Sequence, residues 1–474
     1  MPISATTVIR QACFFSSTSL GHRKNSVIQS TAQKRLHQKL LKPLPYARCC
    51  ATSSLEQAAS EQSRLRWEGG RAAPTSSGAM DSIDDSEDAC RLVVNSHFDS
   101  GNIEVVDASN PGNIQLRIHE DPFCETDGRA HFQWFHFRLT GARNHELNLH
   151  LANAGKASFP HAWSGYQSCA SYDRQHWFRV PTNYDESSGT LTIQHRPEQD
   201  AVYYAYFAPY SYERHQDLIA KCISHKAVRL EVLGETLDGH DIDLLRIGQP
   251  GKGKRRVWMI ARQHPGESMA EWFVEGFLER LLDSHSALAR HALQKAVFYV
   301  VPNMNPDGSW RGHLRTNAAG ANLNREWAKP SPETSPEVYH VRNKMDKVGL
   351  DMLLDIHGDE ELPYNFINGN EGIPCWGERL AKLQKTFVES FKKSSPDFQS
   401  QHGYAIDEPN QANLTICAHA IGDRFKTLSL TLEMPFKDTI ENPDPVQGWS
   451  PDRTKSFGAS ILNAIVDTVP SLDG

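Results

Sequence analysis

Four short, mostly apolar runs do most to limit what this chain can fold into. They are Val257–Ala261, Val297–Val301, Met352–Ile356 and Leu428–Leu432, and stretches of helical period separate them. Strands this apolar are buried on both faces, so the region from 231 to 470 is predicted to be an α/β domain with helices on either side of its sheet. Upstream the texture differs. Short alternating segments such as Ile103–Val106, Phe132–Leu139, Leu147–Leu151 and Thr190–Ile193 are punctuated by turn residues at 109–112, 153–155 and 187–189. That pattern predicts an antiparallel β-sandwich over 89–230. No stretch approaches the ~20 apolar residues a membrane-spanning helix needs.

Charge separates the start of the chain from the rest. Residues 1–55 carry eight Lys/Arg, thirteen Ser/Thr and no Asp or Glu. This is the composition of an organellar transit peptide. The run Ala47-Arg48-Cys49-Cys50-Ala51 resembles a chloroplast cleavage region, which favours the chloroplast over the mitochondrion; the alternative is a cytoplasmic protein with an unaddressed tail. Residues 56–88 read as a flexible linker ending in an acidic run. Beyond the leader, 42 Lys/Arg face 57 Asp/Glu. So acidic a body is poorly suited to nucleic acid or to anionic membranes. The nine cysteines are scattered, with neither a disulfide framework nor a CxxC metal spacing.

The first apolar run leads into Arg262-Gln263-His264-Pro265-Gly266-Glu267-Ser268. A helical pattern follows, with Phe273, Phe277, Leu278, Leu281 and Leu282 on one side and Glu271, Glu275 and Glu279 on another. His264 and Glu267, three apart at a strand-to-helix turn, can aim at one metal. A catalytic zinc usually takes a third protein ligand and keeps a position open. His357 is the best candidate: it follows the run Met352–Ile356 and precedes Gly358, 93 residues beyond His264. The ends of parallel strands are where such sheets gather ligands. With 22 histidines in the chain, the His-x-x-Glu pair alone is weak evidence.

Further motifs add to it. They are Asn303-Met304-Asn305-Pro306-Asp307-Gly308, Arg315 followed by Gly320-Ala321-Asn322-Leu323-Asn324-Arg325-Glu326-Trp327, and Leu430-Thr431-Leu432-Glu433-Met434-Pro435. In this order with His264-Pro265-Gly266-Glu267, the chain resembles the zinc metallocarboxypeptidases (funnelins), and among them the cytosolic carboxypeptidase branch. Phe98-Asp99-Ser100-Gly101-Asn102 and Tyr210-Ser211-Tyr212-Glu213 are similar to the β-rich domain that branch carries before its peptidase. The resemblance spans about 90–470. It implies a mixed-sheet α/β catalytic domain that removes single residues from peptide or protein C-termini. It implies one zinc per chain on His264, Glu267 and His357, with Glu433 as the catalytic carboxylate. Asn324 and Arg325 would grip the terminal carboxylate and Arg315 would polarise the scissile carbonyl.

These residue types suit the chemistry. Zinc lowers the pKa of its water to about 7, a carboxylate can carry that water's proton to the leaving amine, and a guanidinium stabilises the developing oxyanion. Two departures stand out. Many relatives have Asp where this chain has Asn322, behind a ligating His. The tyrosine that relatives place over the substrate is assigned to Tyr404, although its spacing is long. The branch is known for trimming acidic residues, and Arg424 or Lys426 would supply the pocket charge for that preference unless both are solvated strand residues. Two rival functions remain: a zinc deacylase of N-acyl amino acids on the same fold, and a catalytically silent binding protein.

Overall fold

The computed structural model describes residues 91–124 and 129–472. The expected transit peptide and linker lie outside the described residues.

Two five-stranded sheets come first. One runs in the order Val93–Asn95, His136–Thr140, Ala201–Ala205, Ser168–Ser171, Phe178–Val180, with every pair antiparallel. The other runs Glu104–Asp107, Ile114–Arg117, Leu147–Leu151, Thr190–His195, Thr182–Asp185. One neighbour pair in it, Ile114–Arg117 with Leu147–Leu151, is parallel. Alternation decides which side chains go inward: Leu147, Leu149 and Leu151 are buried while Asn148 and His150 are not. They share a core with Phe137, Leu139, Val202 and Tyr204 of the first sheet.

The later region forms one mixed seven-stranded sheet in the order Val228–Glu235, Asp241–Ile247, Ala296–Val301, Arg255–Ala261, Met352–Ile356, Leu428–Glu433, Phe366–Asn368. The four strands that contain the apolar runs are its parallel centre. Strand Arg255–Ala261 shows why the runs are mostly apolar on both faces. Val257, Met259 and Ala261 pack with Phe273 and Phe277 of helix Met269–Leu281 and Phe457 and Ile461 of helix Pro451–Thr468. Trp258 and Ile260 pack on the other side with Val338, Val341 and Met345 of helix Pro336–Val348.

Helix Met269–Leu281 separates its apolar and acidic sides as the sequence pattern predicts, yet Glu271 and Glu275 are both buried. Each has partners that offset the cost of desolvation. Glu271 meets His215 Nδ1 at 2.7 Å and Arg262 at 2.7 Å. Glu275 takes Arg214, Lys455 and the Tyr210 hydroxyl.

His215 lies on helix Tyr212–Ile223, between Glu271 and Asp243. Burial alone would lower its pKa, but the two carboxylates raise it to about 9. The folded value therefore lies above the ordinary His value of about 6.5, so the stabilisation is fully present below pH ~6.5 and is lost as pH rises through about 9. Denaturant unfolding at pH 6 and pH 10 should show wild type losing up to about 3 kcal/mol across that window. His215→Gln should lose less. Parallel losses in the two proteins would refute the assignment.

Candidate metal and peptide-binding site

The turn after strand Arg255–Ala261 is held from inside. Arg262 is buried and left-handed, with φ 57°. Its guanidinium donates to the carbonyls of Pro265 (2.9 Å) and Tyr210 (2.8 Å) and to Glu271. Gly266 donates its N–H to the Leu314 carbonyl at 2.9 Å, and a Cβ at this glycine would stand equally close to that oxygen. The approach needs glycine. His264 and Glu267 are thereby turned toward each other, with Nδ1 2.6 Å from Oε1.

His357 enters from the neighbouring parallel strand Met352–Ile356, which is how a separation of 93 residues closes. Its Nδ1 lies 2.8 Å from the other Glu267 oxygen. The three residues are buried, and a ligand atom from each lies within 4.8 Å of the others. Two imidazole nitrogens and a carboxylate form a donor set that zinc accepts.

The far side of each imidazole is also engaged, and the two differ. His264 Nε2 lies 3.1 Å from Asn322 Oδ1, a neutral acceptor. His357 Nε2 lies 3.1 Å from the Asp355 carboxylate. Asp355 also accepts from Gln263 at 2.7 Å, and Gln263 accepts from the Trp327 indole at 2.7 Å. Burial, reinforced by Arg315, lowers the His264 pKa to about 4. Burial acts the same way on His357, but Asp355 and Glu267 outweigh it and raise that pKa well above the ordinary value. Such outer partners orient metal-binding imidazoles and tune their basicity. Asp355 and Gln263 were missed from sequence, although an acid inside the apolar run Met352–Ile356 was a visible signal.

A cavity of about 350 Å³ takes in His264, Glu267, His357, Glu433, Arg315, Asn324, Arg325 and Tyr404. Glu433 ends strand Leu428–Glu433 and is buried, and its Oε2 has no hydrogen-bond partner among the described residues. Burial raises its pKa well above the carboxylate range; His357 opposes this, while Glu267, Asp359 and Glu360 add to it. A divalent cation among these carboxylates relieves that crowding, so the residues present fit a metal.

The β-sheet region contributes directly to this cleft. The Asp121 carboxylate accepts the backbone N–H groups of Leu314, Arg315 and Thr316 at 2.7, 2.8 and 2.9 Å. The Arg315 guanidinium sits 5.9 Å from the centre of the Phe159 ring. Asn324 is fixed by accepting the Cys417 N–H at 2.8 Å, and Arg325 donates to the Asn324 carbonyl at 2.7 Å. The Tyr404 hydroxyl donates to Asp359 at 2.5 Å.

Arg424 is not brought to the site, which corrects the expectation for it. It lies on helix Cys417–Phe425, not on a strand, and its guanidinium grips Asp346 of helix Pro336–Val348 at 2.6 and 2.9 Å. Lys426 caps the same helix in a left-handed conformation, with its ammonium 2.9 Å from Asp423. Local ion pairs satisfy both cations, and the strand begins only at Leu428.

Comparison with known proteins agrees with this geometry. The description "Cytosolic carboxypeptidase N-terminal domain" matches residues 94–207, and "Zinc carboxypeptidase" matches 223–452. The crystal structure of a metallo-carboxypeptidase from Burkholderia cenocepacia is 47% identical, covers 80% of this chain and 99% of its own, and superposes with a TM-score of 0.77. The chain belongs to the zinc carboxypeptidase family. Membership makes it a hydrolase of the metallopeptidase class, implies metallocarboxypeptidase activity on peptide or protein substrates, and implies zinc. An uncharacterised Zymomonas mobilis protein is 48% identical over 80% of this chain and 97% of its own length. Bovine cytosolic carboxypeptidase 3 is 27% identical over 66% of this chain, which spans only 34% of that longer protein.

Proposed function

We propose that this chain is a one-zinc metallocarboxypeptidase that releases the last residue of a peptide, with His264, Glu267 and His357 as the metal ligands. The carrying observation is the closed trio of ligand atoms opening into a cavity shared with the unpartnered Glu433 oxygen. Zinc bound there would supply Lewis acidity, making water a better nucleophile and polarising the scissile carbonyl.

The remaining roles fall to the chain's own residues. Glu433 Oε2, free of partners among the described residues, takes a proton from the attacking water and returns it to the departing amine. Arg315, its loop fixed by Asp121, donates to the oxygen on which negative charge develops. Asn324 and Arg325 supply donors for the free terminal carboxylate. Tyr404, at the cavity mouth, covers the bound peptide.

A preference for acidic terminal residues lacks its expected cation, because Arg424 and Lys426 are paired elsewhere. Asn368, Thr431 and Ile416 line the cavity with Asn324 and Arg325, which favours an uncharged departing side chain. Peptides ending in Glu, Asp, Lys, Phe or Ala, incubated with the zinc-loaded protein and read by mass spectrometry, test this reading. One-residue losses are expected, fastest from Ala or Phe. Internal cleavage, or no cleavage at all, would refute the exopeptidase assignment.

A further inference from the structure

The segment after His357 makes one wall of the same cleft strongly acidic. Asp359, Glu360 and Glu361 all line the cavity. Asp359 is engaged by the protein: it accepts the N–H groups of Glu361 (2.9 Å) and Leu362 (2.5 Å) and the Tyr404 hydroxyl. Glu360 differs. It is only 6% exposed, yet its carboxylate makes no hydrogen bond or ion pair to another side chain among the described residues. Its own backbone N–H and the charge of Arg315 offset part of the cost of burying it, and it faces the space a substrate would fill. The nearby Lys437 ammonium is turned to the Ser164 carbonyl at 2.9 Å.

Charge balance supports a cationic occupant. Five carboxylates line the cavity (Glu267, Asp359, Glu360, Glu361 and Glu433) against two guanidiniums, Arg315 and Arg325. In formal charges, with a divalent metal and a substrate carboxylate bound, an excess of two negatives remains.

The wall's location identifies the part of the substrate it would meet. Asn324 accepts the Cys417 N–H and Trp327 donates its N–H to the Thr415 carbonyl, which sets the 324–327 turn against the Thr415–Cys417 segment. Asp359 adjoins Pro435, and Phe436 stacks on Tyr206 of the β-sheet region at 4.4 Å. Phe159 and Arg315 stand on that side too. With the terminal carboxylate at Arg325 and the scissile bond at the His264–Glu267–His357 trio, the upstream residue is left the part of the cavity lined by Arg315 and Glu360.

We propose that Asp359, Glu360 and Glu361 bind a cationic group that the substrate carries immediately upstream of the bond being cut, either a Lys or Arg side chain or the free α-ammonium of a dipeptide. The inference rests on the carboxypeptidase reading above. Its test is kcat/KM of the zinc-loaded enzyme on N-acetylated Ala-Ala-X-Ala, with X Lys, Arg, Ala or Glu, and on free against N-acetylated Ala-Ala. A preference of about tenfold or more for Lys and Arg over Glu is expected if the side chain is the source. A similar preference for the free dipeptide over its acetylated form, with X indifferent, would identify the α-ammonium. In Glu360→Gln the winning ratio should collapse toward one, mainly through KM. If that variant does not fold, the wild-type ranking and its weakening with salt decide. Cleavage with no preference in either arm, or with Glu favoured, overturns this inference alone. Failure to cut any peptide overturns the carboxypeptidase reading with it.

Discussion

Glu433→Gln lowers kcat by between about a hundredfold and ten-thousandfold, the usual range for loss of a general acid–base group, while zinc remains bound. The substitution is nearly isosteric, and Glu433 is not one of the three residues whose ligand atoms converge. What is removed is a proton acceptor that lines the cavity and whose Oε2 has no partner among the described residues. Kinetics on a cleaved peptide, with zinc content measured on the same preparation, checks this. Activity within a few-fold of wild type would show that another group moves the proton.

Removing either histidine ligand should cost more, and the two should differ in a second way. His357→Ala and His264→Ala each leave an incomplete ligand set. Zinc content should fall well below one per chain, and activity should fall by at least about a thousandfold, reflecting a metal contribution of several kcal/mol. The difference lies behind the rings. Deleting His357 strands Asp355, a fully buried carboxylate whose Oδ1 makes no hydrogen bond of its own. Such an uncompensated charge costs about 3–5 kcal/mol. Either deletion removes one partner from Glu267; beyond that shared loss, deleting His264 exposes only the neutral amide of Asn322. His357→Ala should therefore unfold at markedly lower denaturant than His264→Ala, both measured free of metal. Equal midpoints would mean that Asp355 is protonated or otherwise relieved.

These contrasts also mark what could be read before the fold was known. The strand-to-turn passage into His264-Pro265-Gly266-Glu267 was legible because Pro and Gly at a strand end announce a tight turn. His357 was legible because its strand is apolar and stops there. What the letters hid was pairing across the fold. Glu271 and Glu275 look like a solvent face until Arg262, His215, Arg214 and Lys455 are brought against them. Arg424 looked close to Glu433 in sequence, but helix Cys417–Phe425 carries its side chain to Asp346. Asp121 and Phe159 carry no sign of serving Arg315, because nearly 200 residues separate Asp121 from the loop it holds. Glu360 reads as one more surface acid, and only its burial beside the trio gives it meaning.

The most direct test uses one peptide in two forms, free acid and C-terminal amide, and follows mass with zinc-loaded protein, after chelation and after zinc is returned. The account predicts one-residue loss from the free acid only, abolished by chelation and restored by zinc. Equal cleavage of the amide would contradict the carboxylate anchor at Asn324 and Arg325. Cleavage that survives chelation would contradict a metal-dependent centre at His264, Glu267 and His357.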